Sequence, residues 1–135
     1  MVEVLVVLEA QAAQLAARRI TSELRDALVS AQAAGETAAQ ASDPMAYSEA
    51  NLRLHEVIYR AAGNDFLHRQ IVHLRGRLAF HRPLALARAE RMRASNADHD
   101  LIVAAILRGD EDAARLAMTS HIAVGGATQA ELLVR

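Results

Sequence analysis

Helix punctuation constrains this chain more than any other feature. Thr21–Ser22, Asp43–Pro44, Gly63–Asn64 and Gly109–Asp110 separate long stretches in which apolar residues recur at three- and four-residue spacing. Each pair has a physical reason to stop or start a helix. A Thr, Ser or Asp oxygen accepts a free N–H of the first turn. A proline in that turn gives up a donor that has no partner there, and a glycine after the last turn adopts the left-handed conformation that closes a helix.

The stretches between these signals define the expected elements. Helix 1 runs from about Glu3 to Arg19, with Leu5, Leu8, Ala12, Leu15 and Ala16 on one face. Helix 2 starts at Thr21 or Ser22 and carries Leu24, Leu28 and Ala31, until Gly35 bends or ends it. Helix 3 runs from Asp43–Pro44 to Gly63. Helix 4 begins near Asp65, turns Leu67, Ile71, Leu74 and Leu78 inward with Arg75 and Arg77 near that face, and stops or bends at Pro83. Helix 5 spans Ala89 or Ser95 to Leu107, and helix 6 starts at Asp110 and breaks at Gly125–Gly126. With only two prolines and 3% aromatic residues, strands are disfavoured. The expectation is an all-α antiparallel bundle of about six helices, one domain over residues 1–135. The alanine-rich stripes of helices 1 and 2 suit close packing, within the bundle or across a homodimer.

Composition removes several function classes. There is no cysteine, hence no disulfide, thiolate metal site or cysteine nucleophile. The net charge is −1, so the chain has no overall attraction for nucleic acid, despite a basic middle from Arg69 to Arg93. The apolar run Val4–Leu8 is bounded by Glu3 and Glu9 and falls short of the roughly 20 residues of a membrane span. It also lacks the basic start and cleavage site of a signal peptide. A cytoplasmic protein is expected.

Against this background the histidines stand out. His55 shares a helical face with Asn51, Leu54, Ile58 and Ala62. His99 shares one with Ile102 and Ile106, and His121 with Ala114, Ala117 and Met118. Apolar stripes face the interior, so three imidazoles point inward from three helices. Left unpaired, each would cost about 1–3 kcal/mol, and a shared divalent cation would satisfy all three. Zinc, nickel or manganese suits imidazole and oxygen donors. His68, His73 and His81 are read as hydrogen-bonded or surface residues. Glu49 and Glu56 are the nearest carboxylates in sequence, yet neither has the spacing to serve as a general base beside Asn51 and His55, and no E-x-x-H pair occurs. An enzyme is therefore not expected. The alternatives are a metal-free helical interaction or dimerisation module and, further off, a small metal-dependent hydrolase.

Two segments carry a family resemblance. N-L-R-L-H-E-V-I-Y-R-A-A-G-N from Asn51 to Asn64, and H-D-L-I-V-A-A-I-L-R-G-D-E-D-A-A-R-L-A-M-T-S-H from His99 to His121, resemble the C-terminal effector-binding (FCD) domain of GntR-type bacterial transcription regulators, in the fatty-acid-regulator branch. L-E-A-Q-A-A-Q-L-A-A from Leu8 to Ala17 resembles that domain's opening helix. The resemblance implies metal ligands at Asn51, His55, His99 and His121, and a small carboxylate effector bound beside the metal. It implies modulation of DNA binding through an N-terminal winged helix, for which the chain has no candidate segment; an isolated effector domain is expected. Two departures matter. Asn51 stands where many relatives have Asp and offers a neutral oxygen. Leu5 and Val6 stand where many carry an arginine that can meet the effector, which makes Arg75 or Arg77 the candidate anchor.

Overall fold

A computed structural model describes residues 2–78 and 88–134, with side chains to residue 125. Among the described residues there are six helices and no strand: α1 (Val2–Arg19), α2 (Ser22–Gln40), α3 (Pro44–Ala62), α4 (Asp65–Leu78), α5 (Ala89–Leu107) and α6 (Glu111–Val134). His81 and the expected stop at Pro83 lie outside the described residues.

The punctuation works as its chemistry dictates. The Thr21 side chain accepts from Leu24 N, Asp43 from Ala46 N at 3.1 Å with Pro44 following, and Asp110 from Ala113 N at 3.1 Å. Asn64 caps α4 by accepting from Leu67 N at 3.0 Å. Gly63 and Gly109 close α3 and α5 at φ 65° and 73°, where a Cβ would be strained. Two arginines finish the job. Arg19 donates to Ala62 O at 2.9 Å and Arg25 to Leu107 O at 2.8 Å, so positive side chains from α1 and α2 hold the carbonyl ends of α3 and α5.

Two glycine expectations fail. α2 runs through Gly35 to Gln40, because that residue is a packing position: a Cβ there would meet Asn96 Oδ1 at 3.4 Å and Ala50 and Tyr47 at 3.9 Å. α6 runs through Gly125 and Gly126 to Val134. A glycine inside a helix costs about 1 kcal/mol relative to alanine but ends the helix only when it turns left-handed. Among the described glycines only Gly63 and Gly109 have positive φ.

α1 lies at the centre and packs against α3, α4, α5 and α6, while α2 rests on α3 and α5. Its alanines Ala10, Ala12, Ala13, Ala16 and Ala17 are buried within the bundle. Small side chains let helix backbones approach closely, and Leu28, Leu54, Ile58, Ile71, Ile102, Ile106 and Met118 fill the remaining space. Each of these large residues contributes about 1.5–3 kcal/mol by leaving water. Together they hold three helices in a fixed relation around a polar centre.

Candidate metal centre

That centre is built by α3, α5 and α6. His55, His99 and His121 are 2%, 1% and 7% exposed, and one ring nitrogen from each lies within 4.8 Å of the other two. The sequence therefore places all three where the helical periodicity predicts. Asn51, one turn before His55 on α3, is also buried.

Each imidazole has its own environment. His121 Nδ1 lies 2.8 Å from Asp98 Oδ2, so that nitrogen carries the proton, and Nε2 presents a lone pair to the interior. His99 Nε2 lies 3.1 Å from His121 Nε2, while its Nδ1 faces the Tyr47 hydroxyl at 3.4 Å. Tyr47 donates to Ser95 Oγ at 2.8 Å, which leaves the tyrosine oxygen free to accept from His99 Nδ1–H. In that arrangement two Nε2 lone pairs face each other, and a cation belongs between them. With the other His99 tautomer, Nε2–H donates to His121 and the pair is satisfied without one. His55 is held more loosely: its Nδ1 faces a buried carboxylate oxygen of Glu9 at 3.6 Å, and its Nε2 has no hydrogen-bond partner.

Burial first, and then the Arg75 charge, push the His55 pKa down from 6.5 to about 4. Burial and the neighbouring His121 hold His99 well below its ordinary value. Both rings are neutral at neutral pH and offer lone pairs rather than charge.

The residue that sequence reasoning missed is Glu9. Read as a polar interruption of an apolar run, it is fully buried, with its carboxylate paired to the Arg75 guanidinium and Oε1 3.6 Å from His55 Nδ1. Burial alone would raise its pKa, but Arg75 and then His55 outweigh this and hold it at about 2. Conversely, burial works against the Arg75 charge and Glu9 more than restores it. Glu9 Oε1, Arg75 Nη2 and the Tyr59 hydroxyl form one buried polar group, close enough to act on one another but too loose for well-formed hydrogen bonds. The available signal was positional: Glu9 is four residues from Leu5 and from Ala13, on the inner face of α1.

The two arginines named from sequence separate. Arg75 is buried beside His55, whereas Arg77 is exposed on α4 and does not reach the inner face. Residues two apart on a helix point about 200° apart around the axis, so both cannot face inward. His73 is exposed, and His68 pairs with Glu56 at 3.1 Å.

The class of protein is an all-helical bundle with buried polar groups converging at its centre and no strand among the described residues. The sequence matches the FCD domain family over residues 1–124, and the chain belongs to that family, the effector-binding domain of GntR-type regulators. Among solved structures, E. coli McbR/YncC has the same fold, with a TM-score of 0.83 at 18% identity. The match covers 96% of this chain and 66% of that one, so the chain spans less than two thirds of that protein. No curated protein matches by sequence.

Proposed function

We propose that this domain senses a small carboxylate at a divalent-metal site formed by Asn51, His55, His99 and His121. The observation that carries the reading is the convergence of three buried imidazoles from three helices, with His55 Nε2 lacking any hydrogen-bond partner. A metal-free interaction module is the second reading, and the 3.1 Å His99–His121 contact favours it, since a hydrogen bond there satisfies both rings. It leaves His55 Nε2 buried without a partner at a cost of about 1–3 kcal/mol, which is why the metal reading is preferred.

The donors suit zinc, with nickel and manganese as further candidates. A bound ion would supply positive charge and open positions for an acid's oxygen. The protein's own groups do the rest. Asp98 fixes the His121 tautomer, and Tyr47 with Ser95 accepts from the far side of His99, so that both Nε2 lone pairs turn inward. Asn51 contributes an amide oxygen and no charge. Arg75, with one guanidinium nitrogen unpartnered, is the anchor for the acid; Arg77, named beside it from sequence, is exposed. In the whole regulator the acid would favour one arrangement of two such domains in a homodimer, and so one spacing of the winged helices that hold DNA. Cytoplasmic action fits this role. No helix among the described residues is long and apolar enough to cross a membrane.

Elemental analysis of the untagged protein, beside His99→Ala, tests this directly. Near-stoichiometric zinc, nickel or manganese that disappears in the variant is expected. Absence of metal after reconstitution would leave the interaction module.

A further inference from the structure

A cavity of about 580 Å³ opens between α3 and α4, beside the histidine centre. His55, Tyr59 and Arg75 form its buried side, Leu52 and Val72 its walls, and Glu49, Arg53 and Glu56 its exposed edge, with Gly76 completing the α4 wall. A Cβ at Gly76 would meet nothing within 4 Å, so α4 presents open space at that point. Leu52 and Val72 are 54% and 49% exposed, apolar surface available to whatever enters.

We propose that this cavity selects an acid with one carboxylate and an apolar body, in preference to a dicarboxylate or a polyhydroxy acid. This deepens the carboxylate-sensing reading and rests on it. Three features fix the chemistry. On the buried side the Tyr59 hydroxyl and the Arg75 guanidinium, each on a side chain more than nine-tenths buried, sit with the Glu9 carboxylate, and Arg75 Nη2 is the donor left for one oxygen of an incoming acid. The walls beyond them are aliphatic or bare backbone, and hydroxyl groups placed there would lose water without gaining partners. A second carboxylate at the outer end would meet Glu49 and Glu56, the latter already engaged with His68, against the single positive charge of Arg53. The volume lies within the range of small-molecule sites.

The test uses the zinc-loaded chain and two probes, 4-methylpentanoate and succinate, titrated by calorimetry. Tighter binding of 4-methylpentanoate by tenfold or more is expected. Gly76→Leu, which fills the α4 side of the cavity, should abolish that binding while zinc content stays unchanged. Val72→Asp, at a half-exposed wall position, should weaken it tenfold or more and guards against a folding defect in the first variant. Succinate binding as tightly as 4-methylpentanoate, or both variants binding as the parent does, would overturn the assignment while leaving carboxylate sensing intact. Failure of both acids on zinc-loaded protein would instead remove the sensing reading, and this inference with it.

Discussion

Replacing Glu9 by glutamine keeps the shape of a fully buried side chain and removes its charge, so that Arg75, 7% exposed, holds a positive charge with nothing to balance it. Two routes give the magnitude. The Glu9 pKa falls from 4.5 to about 2 on folding, which at 1.36 kcal/mol per pH unit corresponds to about 3 kcal/mol at neutral pH. Breaking one side of a buried ion pair costs about 3–5 kcal/mol in general. Glu9→Gln is therefore expected to lose about 3–5 kcal/mol in urea melts of chelator-treated protein, with Tm falling by about 9–20 °C at roughly 3–4 °C per kcal/mol. Adding Arg75→Met removes the orphaned charge and should recover most of the loss, since an apolar pair of similar volume is no worse than a buried ion pair. A Glu9→Gln protein within 1 kcal/mol of the parent would refute the reasoning, as would a double variant no more stable than the single one.

Acid should destabilise the metal-free protein in two stages. The buried His55 keeps a pKa of about 4 against 6.5 when unfolded, so its contribution is whole above pH 6.5 and is lost as pH falls toward 4, while that of Glu9, whole above 4.5, is lost as pH falls through about 2. Urea midpoints that stay flat between pH 7 and 4.5 would contradict the His55 part. Asp98→Asn leaves a carbonyl or an amide opposite His121 Nδ1 and should weaken zinc affinity about 10–100-fold with the circular dichroism spectrum unchanged, measured by competition with a chelator. Asn51→Asp should tighten zinc and, by lowering the charge of the loaded site by one, weaken a dicarboxylate; tighter dicarboxylate binding at matched zinc occupancy would sink that electrostatic argument. Gly63→Ala places a Cβ at φ 65° and should cost about 1 kcal/mol in the same melts.

The helix ends were legible because capping is local chemistry: Thr21, Asp43, Gly63 and Asp110 act within three residues of themselves, and the structure uses each as its side chain suggests. The three histidines were legible because helical periodicity carries a residue's direction across many turns. What escaped depended on contacts between distant segments. The position of Glu9 among Leu5 and Ala13 marks the inner face, but what lets a charge stay there is Arg75, 66 residues away in sequence. Gly35 continues its helix because Asn96, Ala50 and Tyr47 crowd against it. Arg75 and Arg77 look alike in the sequence and are separated by which side of α4 meets α1.

The alanine face of α1 has a consequence for how the bundle chooses its arrangement. A surface of methyl groups looks much the same after one helical turn, about 5.4 Å, so the tight packing of Ala12, Ala13, Ala16 and Ala17 holds α1 close without marking a unique position along its axis. Leu5 and Leu15 discriminate only through the volume of the holes they fill. A slide of one turn would carry the Glu9 carboxylate off the Arg75 guanidinium and strand both charges in a dry interior. The buried pair thus acts as a stop on a rail, giving α1 a single register against α4 and carrying that register to the histidine beside it.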